Sequence, residues 1–147
     1  MDTPGRLLGL DVGEARTGAA VSDPLGIVAT PLETIRMQSD DADIDAVARL
    51  VGETDAVGIV VGLPLNQDGG EGPQARKVQA FIERLRQRVG IEIVTQDERF
   101  TSAIAQRTLR ESNVRGKNRK KYIDQIAAQQ ILQTYLDRRA NLRKSRP

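Results

Sequence analysis

Apolar residues recur along this chain at two spacings, one typical of strands and the other typical of helices. Short apolar runs separated by glycine, proline and aspartate predict five strands. The run at 56–64 is apolar throughout, which is typical of a central strand covered on both faces. Pro31 places part of the third strand at an edge or a bend, because proline cannot donate a ladder hydrogen bond. The predicted strands are residues 6–11, 17–23, 26–35, 56–64 and 91–96.

Apolar residues three and four positions apart predict four helices between and after the later strands. The polar and basic segment 113–121 predicts a mobile loop before the last of them. The predicted helices are residues 42–53 after a cap at Asp40 or Asp41, a stripe at 78–85 that ends before Gly90, a third helix from Thr101 or Ser102, and a fourth over 122–139.

The order of these elements predicts an α/β fold. Three consecutive strands favour an antiparallel meander, and the later strand–helix–strand units favour parallel additions to it. We therefore expect a mixed five-stranded sheet with helices on both faces. Residues 1–139 would form one domain, and the basic residues 140–147 a flexible tail.

Composition limits the chemistry of the chain. It is 39% hydrophobic and 29% charged, as expected for a globular protein. It has no run of about 18 apolar residues and no secretory signal, so we expect no membrane partner and a cytoplasmic location. There is no cysteine and no histidine. Thiol nucleophiles, histidine-based triads and ordinary zinc sites are thereby excluded. Carboxylates remain, and their hard oxygens suit Mg²⁺ or Mn²⁺.

Charge is unevenly distributed along the chain. Residues 115–147 contain ten lysines and arginines and two acids, a net +8, whereas the preceding residues contain 12 basic and 18 acidic residues, a net −6. A basic third on an acidic body is typical of a protein that binds a polyanion such as nucleic acid. A solvated helix followed by a disordered basic tail would give the same pattern.

Three acidic residues occupy positions where a metal ligand is expected. Asp11 ends the first strand on the same face as Leu7 and Gly9, and a buried carboxylate there needs a partner or a metal ion. Glu98 follows the fifth strand, and Asp124 lies in the last helix, with small residues at the next turn. Each has an alternative role, as a turn cap, in a surface ion pair or as a favourable charge near a helix start. Together they could hold two metal ions for phosphoryl chemistry.

Two nearby segments leave alternatives open. Asp97 and Glu98 should point to opposite sides, so only one can face Asp11; Arg99 could pair with either acid or hold a phosphate. The glycines of the loop 65–72 could let backbone N–H groups approach a phosphate. The alternative is an ordinary strand-to-helix connection in which Gly72 and Pro73 begin the helix. The phosphate-binding interpretation is favoured.

Four motifs together resemble the YqgF/RuvX family of ribonuclease H-like nucleases: LDVGEARTGAAVSD, GLPLNQDGGEGPQARKVQAF, TQDERFTSAIAQRTL and IDQIAAQQILQTYL. The resemblance covers about residues 6–137. It implies a ribonuclease H-like fold, as a monomer or a homodimer, and cleavage of Holliday junctions or of precursor ribosomal RNA at the 5′ end of 16S. It implies metal-binding, catalytic roles for Asp11, Glu98 and Asp124 with Mg²⁺ or Mn²⁺, and leaves Asp97 as a further candidate. The substrate-binding residues that it implies are Arg16, Arg99, Thr101, Lys117, Arg119, Lys120 and Lys121.

Two rival interpretations remain at the level of sequence. Sugar kinases and actin-like ATPases also open with a strand and DxG, but 147 residues hold only one lobe of such proteins. A catalytically silent module of the same fold, gripping ribosomal RNA through its basic third, is the stronger rival. Aromatic residues make up only 3% of the chain. This scarcity favours recognition of nucleic acid by backbone and shape. Symmetric cutting of a four-way junction would require a two-fold dimer, whereas a single cut needs only a monomer.

Overall fold

Six strands and three helices make up the part of the chain that the computed structural model describes, namely residues 1, 3–99 and 117–145, with only the backbone described for 117–122. The strands are β1 (Leu7–Val12), β2 (Arg16–Ser22), β3 (Ala29–Pro31), β4 (Ile35–Arg36), β5 (Gly58–Leu63) and β6 (Glu92–Asp97). The helices are α1 (Asp40–Thr54), α2 (Pro73–Arg88) and α3 (Lys117–Lys144).

The sheet is mixed, with the order β3-β2-β1-β5-β6 and β4 also paired with β2. β1, β2 and β3 form the expected antiparallel meander, and β5 and β6 add in parallel to β1. The predicted third strand is divided into β3 and β4, both antiparallel to β2. Pro31 ends β3 at the sheet edge, where its missing N–H leaves no ladder bond unmade. The sheet therefore has five positions across but six strands.

Helix α1 begins at Asp40, two residues earlier than predicted. Its N-cap is Ser39, whose hydroxyl accepts a hydrogen bond from the Ala42 N–H (3.2 Å), rather than Asp40 or Asp41. Those two aspartates lie in the first helical turn, where negative charge favours the helix dipole. Asp55 ends α1 in the left-handed conformation (φ 55°).

Helix α3 is longer than predicted at both ends. Residues 117–121, expected in a mobile loop, are helical, and the helix continues through 140–144, expected in a flexible tail. The segment 117–144 contains no glycine or proline and is rich in lysine, arginine, glutamine and leucine, all good helix formers. The helix predicted from Thr101 or Ser102 and residues 113–116 of the loop lie outside the described residues.

Separate apolar cores cover the two faces of the sheet. Alternate residues of β1 divide between them: Leu8 and Leu10 pack with α1 and α2, whereas Leu7 packs with α3. The stripe of α2 and two of the residues predicted for α1, Ile44 and Val47, are buried as expected. Among the described helices, none is long and apolar enough to cross a membrane.

A series of glutamines fixes α3 against the edge strand β3. We call Gln125, Gln129 and Gln133, four residues apart on one face of α3, the glutamine ladder. Its amides donate to the carbonyl oxygens of Leu32, Ala29 and Ile27 at 3.2, 3.1 and 2.9 Å, and the Gln133 side chain accepts from the Ala29 N–H (2.8 Å). The backbone groups at this edge are therefore paired by side chains of the helix.

Candidate functional site

Two acidic side chains meet at the carboxyl edge of the parallel strands, where open α/β sheets bind ligands. Asp11 lies near the end of β1, on the face that α3 covers. Glu98 follows β6 directly, and its N–H donates to the Leu63 carbonyl oxygen (3.1 Å), which holds it in line with the sheet. The Asp11 and Glu98 carboxyl groups are close enough for Asp11 to raise the pKa of Glu98. Of the two adjacent acids, Glu98 is therefore the one that faces Asp11.

The Glu98 carboxyl group is strongly biased toward its protonated form. Burial, then the hydrogen bond and charge of Asp11, and then the charge of Asp97 raise the pKa of Glu98 to about 9. Two carboxylates in one partly buried place repel each other unless a proton or a cation lies between them. The pair is thus a place where positive charge is strongly favoured.

A glycine in β5 makes room for the Glu98 side chain. A Cβ built at Gly62 would lie 2.7 Å from Glu98 Oε1 and would also overlap the side chain of Ile131 in α3. Any side chain at this position would displace either the carboxylate or the helix. The absence of a side chain at Gly62 therefore lets the Glu98 carboxyl group lie against β5.

A second glycine brings α3 and Asp124 to the same place. Gly18 of β2 lies directly opposite Asp11 in the strand register. A Cβ at Gly18 would collide with the backbone carbonyl of Asp124. The absence of that Cβ lets the helix lie against the sheet at the level of Asp11, so the site combines two strand ends and one helix.

Asp124 is partly buried and is paired with Arg16. Arg16 Nε lies 3.1 Å from Asp124 Oδ2, yet this buried oxygen accepts no well-directed hydrogen bond. Burial raises the pKa of Asp124, the nearby Arg16 charge opposes that rise, and the Asp11 charge adds to it. Asp124 thus has an acceptor atom that is only partly satisfied.

Asp97 turns away from the acidic pair and binds Arg99. The Arg99 side chain donates to Asp97 Oδ2 from Nε (2.8 Å) and Nη2 (2.6 Å), and the same pairing lowers the pKa of Asp97. Arg99 Nη1 also donates to the Gln67 carbonyl oxygen (3.2 Å). Arg99 therefore connects the end of β6 to the glycine-rich loop.

That loop forms a closed turn of its own and leads into α2. The Asn66 N–H donates to the Gly70 carbonyl oxygen (2.9 Å), and Gly69 has the left-handed φ of 88° that favours glycine. Gly72 and Pro73 begin α2, as in the structural alternative for this segment. Phosphate binding by the backbone of this loop stays a prediction.

The structure brings together four of the residues singled out from the sequence: Asp11, Glu98, Asp124 and Arg16. Within the described ranges, no group of three or more acidic residues has the spacing of a metal site, and Asp124 is paired with Arg16. Thr101 lies outside the described residues. The backbone of α3 includes four more of the predicted contacts, whose side chains are not described: Lys117, Arg119, Lys120 and Lys121.

Sequence reasoning missed the contributions of Gly18 and Gly62. Both interrupt strands, and a glycine inside a strand often marks the close approach of another backbone or a ligand. That signal was available, but it does not say which element approaches.

The family model described as "RuvX: Holliday junction resolvase" matches residues 5–138. The chain belongs to the RuvX family. This confirms the resemblance noted in the sequence and places the protein in a family of nucleases.

Its relatives carry one name in several bacteria. The chain is 46% identical to the "Putative pre-16S rRNA nuclease" of Natranaerobius thermophilus, over 92% of this chain and 96% of that protein. It is 48% identical to the protein of the same name in Mycobacterium ulcerans, over 94% of this chain and 82% of the relative.

Solved structures confirm the fold class. Thermus thermophilus RuvC in complex with a Holliday junction has a TM-score of 0.57 at 12% identity, covering 92% of this chain and 96% of that one. The fowlpox virus Holliday junction resolvase has a TM-score of 0.55 at 11% identity, covering 90% and 98%. The α/β fold predicted from the sequence is therefore the ribonuclease H-like fold of these resolvases.

Proposed function

We propose that this RuvX-family protein is a metal-dependent endonuclease that hydrolyses phosphodiester bonds of nucleic acid. The observation that carries the proposal is the close pair of acidic side chains, Asp11 and Glu98, at the carboxyl edge of the sheet. A chain without histidine or cysteine has carboxylates as its strongest remaining metal ligands, and this pair favours added positive charge.

The side chains present fit Mg²⁺ or Mn²⁺. Asp11 and Glu98 offer hard oxygen donors, and the buried Oδ2 of Asp124 lacks a well-directed partner. Asp11, Glu98 and Asp124 would hold the ion, which would stabilise the negative charge that develops on the phosphate oxygens during hydrolysis. This fit supports the assignment of the three acids as catalytic ligands.

The neighbouring arginine would change partners in the loaded site. Arg16 now neutralises Asp124 at 3.1 Å. A cation bound by Asp124 would take over that role and leave the Arg16 guanidinium for a substrate phosphate. Arg99 is held by Asp97 and would position the loop at 65–72. Thr101, Lys117, Arg119, Lys120 and Lys121 stay predicted phosphate contacts.

The first substrate that we propose is precursor 16S ribosomal RNA, because relatives at 42–48% identity are named for it. The second is a four-way DNA junction, which the family description and the fold of RuvC favour. Junction cutting would require a homodimer with two active sites related by two-fold symmetry. RNA end processing requires only one site.

The test is cleavage of both labelled substrates with Mg²⁺, with Mn²⁺ and with chelator alone. Asp11→Asn should abolish metal-dependent cutting, whereas the control Asp55→Asn should cut normally. Asp55 is exposed at the end of α1, and its left-handed φ suits asparagine. Thermal shift with Mn²⁺ gives a second readout: the metal should stabilise the unmodified protein and not Asp11→Asn.

Each outcome assigns the protein differently. Paired symmetric cuts in the junction would establish a resolvase, and cutting of RNA alone would establish a processing nuclease. Salt-sensitive binding without metal-dependent cutting of either substrate would leave a nucleic-acid-binding module and overturn the enzyme assignment.

A further inference from the structure

A cavity of about 330 Å³ lies between the carboxyl-terminal half of α3, the last residues of β6 and Met1, and the acidic pair is not part of its lining. Arg138, Arg139 and Arg143 form its basic lining, and Gln96 and Tyr135 also line it. Three guanidinium groups around one small concave space create a strongly positive environment, which favours an anionic ligand.

Arg139 is the most buried of the three arginines, with 9% of its surface exposed. Its Nη1 donates to the Met1 carbonyl oxygen (3.3 Å), and its guanidinium lies 5.9 Å from the centre of the Tyr135 ring. A Cβ at Gly26 would collide with this guanidinium, so the glycine leaves space for it. Arg139 forms no ion pair with any described carboxylate, whereas the exposed Arg138 is near enough to Asp97 for its charge to lower the pKa of that carboxyl group. Buried positive charge without an anionic partner is costly unless an anion binds there.

Gln96 is a buried polar residue that lines the same cavity. It is 6% exposed, and its side-chain amide takes part in none of the hydrogen bonds found in the described part of the chain. An amide offers two donors, which suit the oxygens of a phosphate. Gln96 therefore adds uncharged donors to the basic lining of the cavity.

One end of the cavity, at Gln96, is near the acidic pair. Its other end is lined by Met1 and Arg139, and Arg139 lies about 22 Å along α3 from Asp124. Gln96 and Glu98 are two residues apart and lie on the same side of the chain, and strand geometry separates such neighbours by about 6.6 Å. A nucleic-acid strand whose scissile phosphate lies at Asp11 and Glu98 would carry further phosphates within reach of this cavity.

We propose that the cavity is a second phosphate site, where Arg138, Arg139 and Gln96 bind a backbone phosphate of the strand being cut. This inference rests on the proposed nuclease function and adds to it how the strand is positioned. The volume is at the lower end of small-molecule sites, in keeping with one nucleotide unit and not a larger ligand. The site would set the direction in which the strand leaves the acidic pair.

The test measures binding of a short single-stranded RNA, with the sequence of the precursor 16S 5′ region, over a range of salt concentrations. All proteins carry Asp11→Asn, so cleavage does not interfere. The variant is Arg138→Gln, since Arg138 is exposed and its loss should leave the fold intact. The matched control is Arg49→Gln, an exposed arginine without an ion pair on α1, across the sheet.

Arg138→Gln should weaken binding by about threefold to tenfold and reduce the slope of log K against log salt by about 0.7, the value for one phosphate contact on a single strand. Arg138→Lys should restore the slope, because the lost interaction is with a charge. Arg49→Gln should change neither quantity. Equal slopes for Arg138→Gln and Arg49→Gln would overturn the proposal.

A neutral linkage identifies the phosphate that is bound. Methylphosphonate substituted at one position at a time should weaken binding at a position near the cleavage site, and this loss should vanish in Arg138→Gln. A loss of the same size in both proteins would contradict the contact. If inorganic phosphate stabilises the protein through Arg138 while RNA affinity does not depend on Arg138, the site binds a free anion and the proposal is wrong.

These measurements separate the inference from the proposed function. An Arg138-dependent salt slope without any metal-dependent cleavage would retain the phosphate site and remove the nuclease. Cleavage with no contribution from Arg138 would do the reverse.

Discussion

The two faces of the sheet divide stability and chemistry between them. The face under α1 and α2 buries a continuous apolar core that includes Leu85, Ile82 and Leu10. The face under α3 has a smaller core. At the carboxyl edge of the parallel strands on this face, glycines leave room for α3 and for the clustered carboxyl groups. Burial of apolar side chains on the α1 and α2 face stabilises the folded state, whereas the clustered acids on the α3 face destabilise it. Mutations on the α1 and α2 face should therefore lower stability and leave cleavage unchanged, whereas mutations of the acids on the α3 face should lower cleavage and leave the metal-free protein as stable or more stable.

The largest effect should come from Glu98→Gln on the α3 face. Removing this ligand should reduce metal-dependent cleavage by more than about 100-fold, because even residues that only support a ligand contribute about 10–100-fold. A cleavage time course with saturating Mg²⁺ measures it. Activity within a few-fold of the unmodified protein would remove Glu98 from the site.

The same variant should make the metal-free protein more stable, with a defined dependence on pH. The folded state raises the pKa of Glu98 to about 9, so between pH 5 and 9 it retains a proton that the unfolded chain releases. Stability of the unmodified protein should fall as pH rises through this window. Glu98→Gln lacks that fall, so its advantage in melting temperature should grow from pH 5 to pH 9 in chelator. An advantage independent of pH would contradict the assigned protonation.

The opposite face should respond in the opposite way. Leu85→Ala removes a fully buried side chain of α2 and should lower the free energy of unfolding by about 2–5 kcal/mol. Urea unfolding measures this loss. Cleavage per folded molecule, measured where the variant is still folded, should be unchanged; a parallel loss of activity would mean that the two faces are not independent.

Paired glycine substitutions compare the two faces directly. Gly18→Ala should destabilise the protein by about 1–3 kcal/mol and reduce cleavage, because the added Cβ pushes on the Asp124 carbonyl. Gly52→Ala in α1 meets no atom within 4 Å and should stabilise by about 0.5–1 kcal/mol, the usual gain from alanine in a helix, with cleavage unaffected. Tolerance of Gly18→Ala in both assays would refute the close approach of α3.

The smallest effect concerns the glutamine ladder. Gln133→Ala leaves the buried Ala29 N–H without its acceptor and should cost about 1–2 kcal/mol of stability. The control is Gln87→Ala on the exposed side of α2, which should lie within about 0.5 kcal/mol of the unmodified protein. Equal stability of the two variants would show that water replaces the amide at the sheet edge.

The fold was predictable where the pattern of apolar residues is governed by local geometry. Alternation in β1 assigned Asp11 to the face of Leu7 and Gly9, and the structure confirms that α3 covers this face. The continuous apolar run of β5 correctly indicated a central strand. These features follow from burial alone, so they can be read from the chain.

The structure differs from the prediction where the sequence is compatible with more than one local structure, at the starts of α1 and α3. Ser39, Asp40 and Asp41 are all good caps, and backbone conformation selects Ser39. Residues 117–121 are polar, which suggested a loop, yet lysine and arginine also form helices well. Composition could not decide between these outcomes.

The candidate site was predictable as a set of acids but not as a geometry. The motifs named Asp11, Glu98 and Asp124, and the structure brings their elements together. Which acid of the pair Asp97 and Glu98 faces Asp11 depended on where β6 stops following the sheet, and the Leu63–Glu98 hydrogen bond decides it. The Arg16–Asp124 pair depends on the rotation of α3, which a sequence does not specify.

The glutamine ladder has a consequence for how this gene can vary in length. Because its three glutamines recur every four residues, their hydrogen bonds set both the position of α3 along its axis and its rotation. Asp124 is the residue immediately before the first of these glutamines. An inserted codon between Asp124 and Gln125 would leave the ladder docked and turn the aspartate by about 100° around the helix, away from Asp11. Insertions and deletions should therefore be tolerated in the exposed loops, whereas a single-residue insertion between Asp124 and Gln125 should abolish activity.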